Sequence, residues 1–103
     1  MKPCRLRPRA EQDIDEAAMH YALEGGYALG PGFYDAVESA LQFMADNPGC
    51  GSPRIANLLD VPGLRVWQIE RFPYSIYYFE RDTYLDVVRV LHQRMDIPAH
   101  LQT

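Results

Sequence analysis

The sequence predicts an α+β domain in which an N-terminal strand leads into an antiparallel helical hairpin, packed on a largely antiparallel sheet completed by a C-terminal three-stranded meander. Three observations carry that expectation. Apolar residues recur every three or four positions from Ala10 to Met44, β-branched and aromatic residues crowd the stretch from Leu64 to His92, and glycine or proline marks most of the junctions. At 103 residues the chain suits one hydrophobic core, so residues 1–103 are read as a single domain.

Cys4-Arg5-Leu6-Arg7 is extended in character and closed by Pro8, which the first turn of a helix tolerates because its N–H would be unpaired there anyway. Ala10, Ile14, Ala17, Ala18 and Tyr21 then fall on one helical face, with Glu11, Asp13, Asp15 and Glu16 expected on other faces, near the N-terminal end whose dipole favours acids. Gly25-Gly26 ends this helix. Gly30-Pro31-Gly32 announces a second one, with Phe33, Val37, Ala40, Leu41 and Met44 on one side, and Asn47-Pro48-Gly49 stops it. Two amphipathic helices joined by a short glycine-rich link form a hairpin that needs a common surface to cover.

Cys50 to Gly63 has no sustained periodicity and reads as a loop. Strands are expected over Leu64 to Arg71, Tyr74 to Glu80 and Tyr84 to His92, with turns at Phe72-Pro73 and Arg81-Asp82-Thr83. In the last strand strict alternation puts Leu85, Val87, Arg89 and Leu91 on one face and Asp86, Val88, Val90 and His92 on the other. Both faces are partly apolar, which suits a strand near the sheet centre and a second surface able to receive a partner. The tail from Asp96 to Thr103 is expected to run extended past Pro98. Trp67, Phe72, Tyr74, Tyr77, Tyr78 and Phe79 read as core rather than as base-stacking groups, and Tyr21, Tyr27, Phe33 and Tyr34 as packing residues of the hairpin.

Composition narrows the function. A net charge of -4 argues against broad adhesion to nucleic acid, which is driven by cations displacing phosphate counterions, so no direct sequence-specific nucleic-acid binding is expected. No apolar run approaches membrane-span length and the N-terminus leads into charge, so no membrane association and a cytoplasmic location are expected. Cys4 and Cys50 lack the number and spacing of a disulfide framework or zinc site and read as free thiols. No metal and no cofactor are expected.

Four segments sharpen the picture: Ala10-Glu11-Gln12-Asp13-Ile14, Asn47-Pro48-Gly49-Cys50-Gly51, Pro62-Gly63-Leu64-Arg65, and Arg89-Val90-Leu91-His92-Gln93-Arg94-Met95 followed by Ala99-His100-Leu101. In their order along the chain they resemble the RelE/ParE toxin superfamily, and the last segment is similar to the C-terminal signature of its ParE-like branch. That resemblance implies a toxin of a type II toxin–antitoxin system, of the plasmid-stabilisation kind. It also implies a cognate ParD-like antitoxin that folds on binding, and growth inhibition through DNA gyrase.

The RelE-like branch resembles ribosome-dependent messenger RNA endoribonucleases, which gives the alternative. Metal-independent RNA cleavage needs a base, cations for the transition-state phosphate and an acid. Arg65, Arg89 and His92 stand where that branch has such groups, but the loop lysines and a tyrosine after His92 are missing. The set is partial, so no residue is assigned a catalytic role and protein binding is preferred. Arg65, Arg89, His92, Arg94 and Met95 are the candidates for contact with target or antitoxin. The structural alternative pairs Arg65 and Arg89 with a strand carboxylate such as Glu70 or Asp86, and bonds His92 to the tail. His20 and His100 read as surface residues. A third reading is a degenerate, harmless protein that only binds antitoxin.

Overall fold

The computed structural model describes residues 1–26 and 28–95. The elements run β1 (Cys4–Leu6), α1 (Pro8–Glu24), α2 (Leu29–Asp46), α3 (Arg54–Leu59), β2 (Leu64–Gln68), β3 (Tyr74–Glu80) and β4 (Leu85–His92). The sheet order is β1-β4-β3-β2; β1 is parallel to β4 and the other pairs are antiparallel. The expected fold class is therefore the observed one, with β4 inside the sheet. Tyr27, the tail from Asp96 and the Ala99-His100-Leu101 part of the signature lie outside the described residues.

Helix α1 starts on Pro8 after an extended Arg7, and buries Ala10, Ile14, Ala17 and Ala18 together with Asp13, expected on another face but drawn inward by Arg89 and the Val90 N–H. Gly25 N–H closes it on the Tyr21 carbonyl, and Gly26 at φ 95° reverses the chain in a conformation that favours glycine. Helix α2 begins one residue before Gly30-Pro31-Gly32, so Pro31 lies in its first turn. Its inner face carries Phe33, Val37, Ala40 and Met44. The hairpin lies on one side of the sheet over Tyr78, Ile76, Leu85, Val87 and Val90. At one end of this core the Phe33 ring meets Tyr21, Phe72 and Tyr74 at centroid distances of 5.5, 5.1 and 5.2 Å. Fully burying a side chain of that size contributes about 2–3 kcal/mol.

Three expectations need correction. The Cys50 to Gly63 segment contains α3, whose six residues are too few to show a helical period; Ala56, with Ile55 and Leu59 beside it, packs on Leu64, Tyr77 and Leu91. Strand β2 ends at Gln68 rather than Arg71. Ile69 N–H bonds the Tyr74 carbonyl across the turn, and Arg71 takes φ 72°, which no strand residue does.

The third correction concerns β4. Tyr77 pairs with Arg89 but Tyr78 with Val87, so Val88 is an extra residue, a bulge. One inserted residue exchanges the faces, and Leu85 and Val87 join Val90 under the helices while Leu91 joins the cluster under α3. The side away from the hairpin is thus covered by the chain's own α3 along β2, and only its β1–β4 half is left open.

Candidate functional site

Arg65 leaves β2 toward the loop that follows α2. Its Nη1 donates to the carbonyls of Gly49 (3.2 Å) and Gly51 (2.8 Å), so its partners are loop carbonyls and not Glu70. Tyr78 ties down the same loop from β3: its hydroxyl donates to the Pro48 carbonyl (3.0 Å) and accepts Gly51 N–H (2.8 Å). Burial pushes the Tyr78 phenol well above its ordinary range, so it stays protonated and able to donate. Gly51 is required by proximity. A Cβ there would stand 2.6 Å from the Tyr78 hydroxyl and 2.9 Å from the Arg65 Cβ.

Arg89 is only 5% exposed and points to helix α1. Its Nε and Nη2 clasp the two oxygens of Asp13 at 2.7 and 3.0 Å, and Asp13 also accepts Val90 N–H at 3.1 Å. The carboxylate thus does for β4, beyond the end of β1, what a neighbouring strand would do. The Asp13 hydrogen bonds raise the Arg89 pKa further, against the opposing cost of burial. The expected partner, Asp86, is engaged elsewhere.

His92 is half-buried, edge-on to the Tyr74 ring at 5.2 Å, and its Nδ1 accepts Arg94 N–H at 3.0 Å. That bond joins it to the turn after β4; the expected bond to the tail falls outside the described residues. Arg94 and Met95 are exposed, as is His20. Arg65, Arg89 and His92 are therefore directed to a loop, a helix and an aromatic ring respectively. The clefts along α2, lined by Asp35, Ser39, Phe43 and, in one of them, Trp67, contain none of the three.

A cluster that sequence reasoning missed lies on the open half of the sheet. Asp86, 8% exposed, accepts a two-point clasp from Arg7 (Nε 3.0 Å, Nη2 2.8 Å) and a second guanidinium from Arg81 (Nη2 2.9 Å). Arg7 above all, and Arg81 with it, hold the Asp86 carboxyl below the usual carboxylate range although burial opposes this. Arg5 lies over the Tyr84 ring and Arg81 over the Phe79 ring, each 4.7 Å from the centroid. The available signal was a lone acid between Leu85 and Val87 in an apolar strand, since a buried carboxylate needs a partner. Cys4 and Cys50 are free thiols, and burial raises the Cys4 pKa.

Among the described residues no helix is long and apolar enough to cross a membrane, and no three His, Cys, Asp or Glu residues are grouped to hold a metal ion.

Comparison with known proteins agrees with this architecture. Residues 4–97 match the family model of the ParE toxin of the type II toxin–antitoxin system, parDE. The chain is 26% identical over 102 residues to Toxin ParE1 of Caulobacter vibrioides, covering 98% of this chain and 99% of that protein. A solved structure described as the chromosomal ParDE TA system from P. aeruginosa superposes with a TM-score of 0.74 at 21% identity, covering 89% of this chain and 96% of that one. At that identity the likeness is one of fold.

Proposed function

The chain belongs to the ParE toxin family of type II toxin–antitoxin systems, and on that premise we propose that it inhibits growth by binding another protein, DNA gyrase, and is neutralised by a cognate ParD-like antitoxin. One observation supports binding over RNA cleavage: the Arg89 guanidinium is buried against Asp13, where it cannot meet a phosphate without breaking a two-point ion pair. Arg65 is similarly engaged by backbone carbonyls, and His92 stacks edge-on to Tyr74. Transition-state stabilisation needs donors already aimed at the developing charge. These donors are aimed at the protein's own loop and helix.

The antitoxin half of the proposal follows from the family together with the open arginine surface. A labile segment that orders on binding can cover both charge and apolar area, and its ordering cost makes the complex easy to undo once the segment is degraded. The test is expression alone and together with the adjacent upstream reading frame, with affinity-tagged toxin used to capture gyrase from the arrested cells. Growth arrest relieved by the neighbouring frame, with gyrase subunits enriched on the toxin, is the expected result. Arrest with no gyrase on the toxin would overturn the target, and harmless expression would overturn toxicity.

A further inference from the structure

We infer that the guanidinium set on the open side of the sheet, Arg5, Arg7 and Arg81 gathered round Asp86, is the docking point for a carboxylate-rich segment of the antitoxin. The inference rests on the proposal above that an antitoxin binds this chain, and names where its acidic part sits.

Register places the set on one face. Arg5 is the β1 partner of Asp86 and Phe79 its β3 partner, while the neighbouring Leu6, Leu85 and Val87 point to the helical hairpin. Two guanidiniums, Arg7 and Arg81, therefore converge on a single buried carboxylate with Arg5 beside them on the neighbouring strand, which leaves the face positive within a chain of net charge -4. Asp82 sits in the adjoining turn, and Glu80 is held by Lys2 at 2.8 Å.

The geometry is that of a prepared acceptor. Arg7 and Arg81 side chains are 47% and 44% exposed, and among the described residues their Nη1 groups donate to nothing. Arg5 rests on Tyr84 and makes no hydrogen bond to any described residue. Asp86 and the two rings fix the forks in place before a ligand arrives, which lowers the ordering cost of a two-point clasp on carboxylate. Phe79 and Tyr84, each half-buried beside the cations, suit a segment that carries apolar residues next to its acids. A bare polyphosphate fits less well, because it has nothing apolar to lay against Phe79 and Tyr84.

The test is titration of purified toxin with the antitoxin encoded beside it, at low and at moderate salt, using wild type, Arg5→Gln, and Arg5→Gln with Arg81→Gln. Arg5→Gln leaves the Arg7–Asp86–Arg81 pairing intact, and thermal melting checks that both variants stay folded. The double variant is expected to bind at least about tenfold more weakly, with a flatter salt dependence, and Arg5→Gln to fall between. Affinity and salt dependence unchanged in the folded double variant would overturn the docking site. Loss of duplex-DNA affinity with antitoxin affinity intact would reassign the patch to nucleic acid and overturn it too. If wild-type toxin fails to bind the antitoxin at all, the functional reading fails first and carries this inference with it.

Discussion

Two carboxylates, Asp13 and Asp86, organise the charged chemistry of this chain, and each is held by arginine from a distant part of the sequence. Asp13→Asn removes the carboxylate that clasps the buried Arg89 guanidinium at two points, which should cost about 3 kcal/mol in urea unfolding. A change of a few tenths would show that the pair is not a fastening of α1 to β4. Asp86 gives a pH signature. Its folded pKa is depressed, so its stabilisation is complete above the unfolded value, about 4, and is lost as pH falls from there through the folded value. The urea midpoint of the wild type should therefore drop more steeply below about pH 4 than that of Asp86→Asn, and parallel curves would contradict the assignment. Neither pairing was legible beforehand. Asp86 lies three residues from Arg89 and looks like its partner, whereas the observed partner is 76 positions away, a distance that only the packing of α1 along β4 closes.

At the level of elements, the helices were readable because a 17-residue and an 18-residue helix each repeat their apolar face several times. Helix α3 completes barely one repeat and left no such trace. The β4 faces were misassigned from Val88 onward because a single bulge there defeats an alternation argument without leaving a mark in composition. The loop between α2 and α3 is the element whose anchoring can be tested most simply. Gly51→Ala drives a methyl group into the Tyr78 hydroxyl, and Tyr78→Phe strips partners from Gly51 N–H and the Pro48 carbonyl. Each should lower stability by about 1–3 kcal/mol in denaturant melts. Both in one chain should cost somewhat less than the sum, since removing the hydroxyl relieves one of the methyl group's close contacts while the ring edge at 2.7 Å and the Arg65 Cβ at 2.9 Å remain.

The whole molecule is a sheet shielded on one side by paired helices and split on the other between a self-covered apolar half and an open cationic half. The first side was legible in the sequence through periodicity. The second was not, because its division depends on where α3 folds back and on which arginines meet Asp86. Arg65 and Arg89, prominent by position, turn out to serve the fold's own loop and helix, while Arg5, Arg7 and Arg81 carry the accessible charge of the open half of the sheet. A chain built in this way should act on its target by contact. Purified toxin added both to a gyrase supercoiling reaction and to ribosomes carrying a defined message decides the matter: supercoiling blocked with the message intact is the expected result, and supercoiling untouched with the message cut, the cut vanishing in His92→Gln, would contradict it.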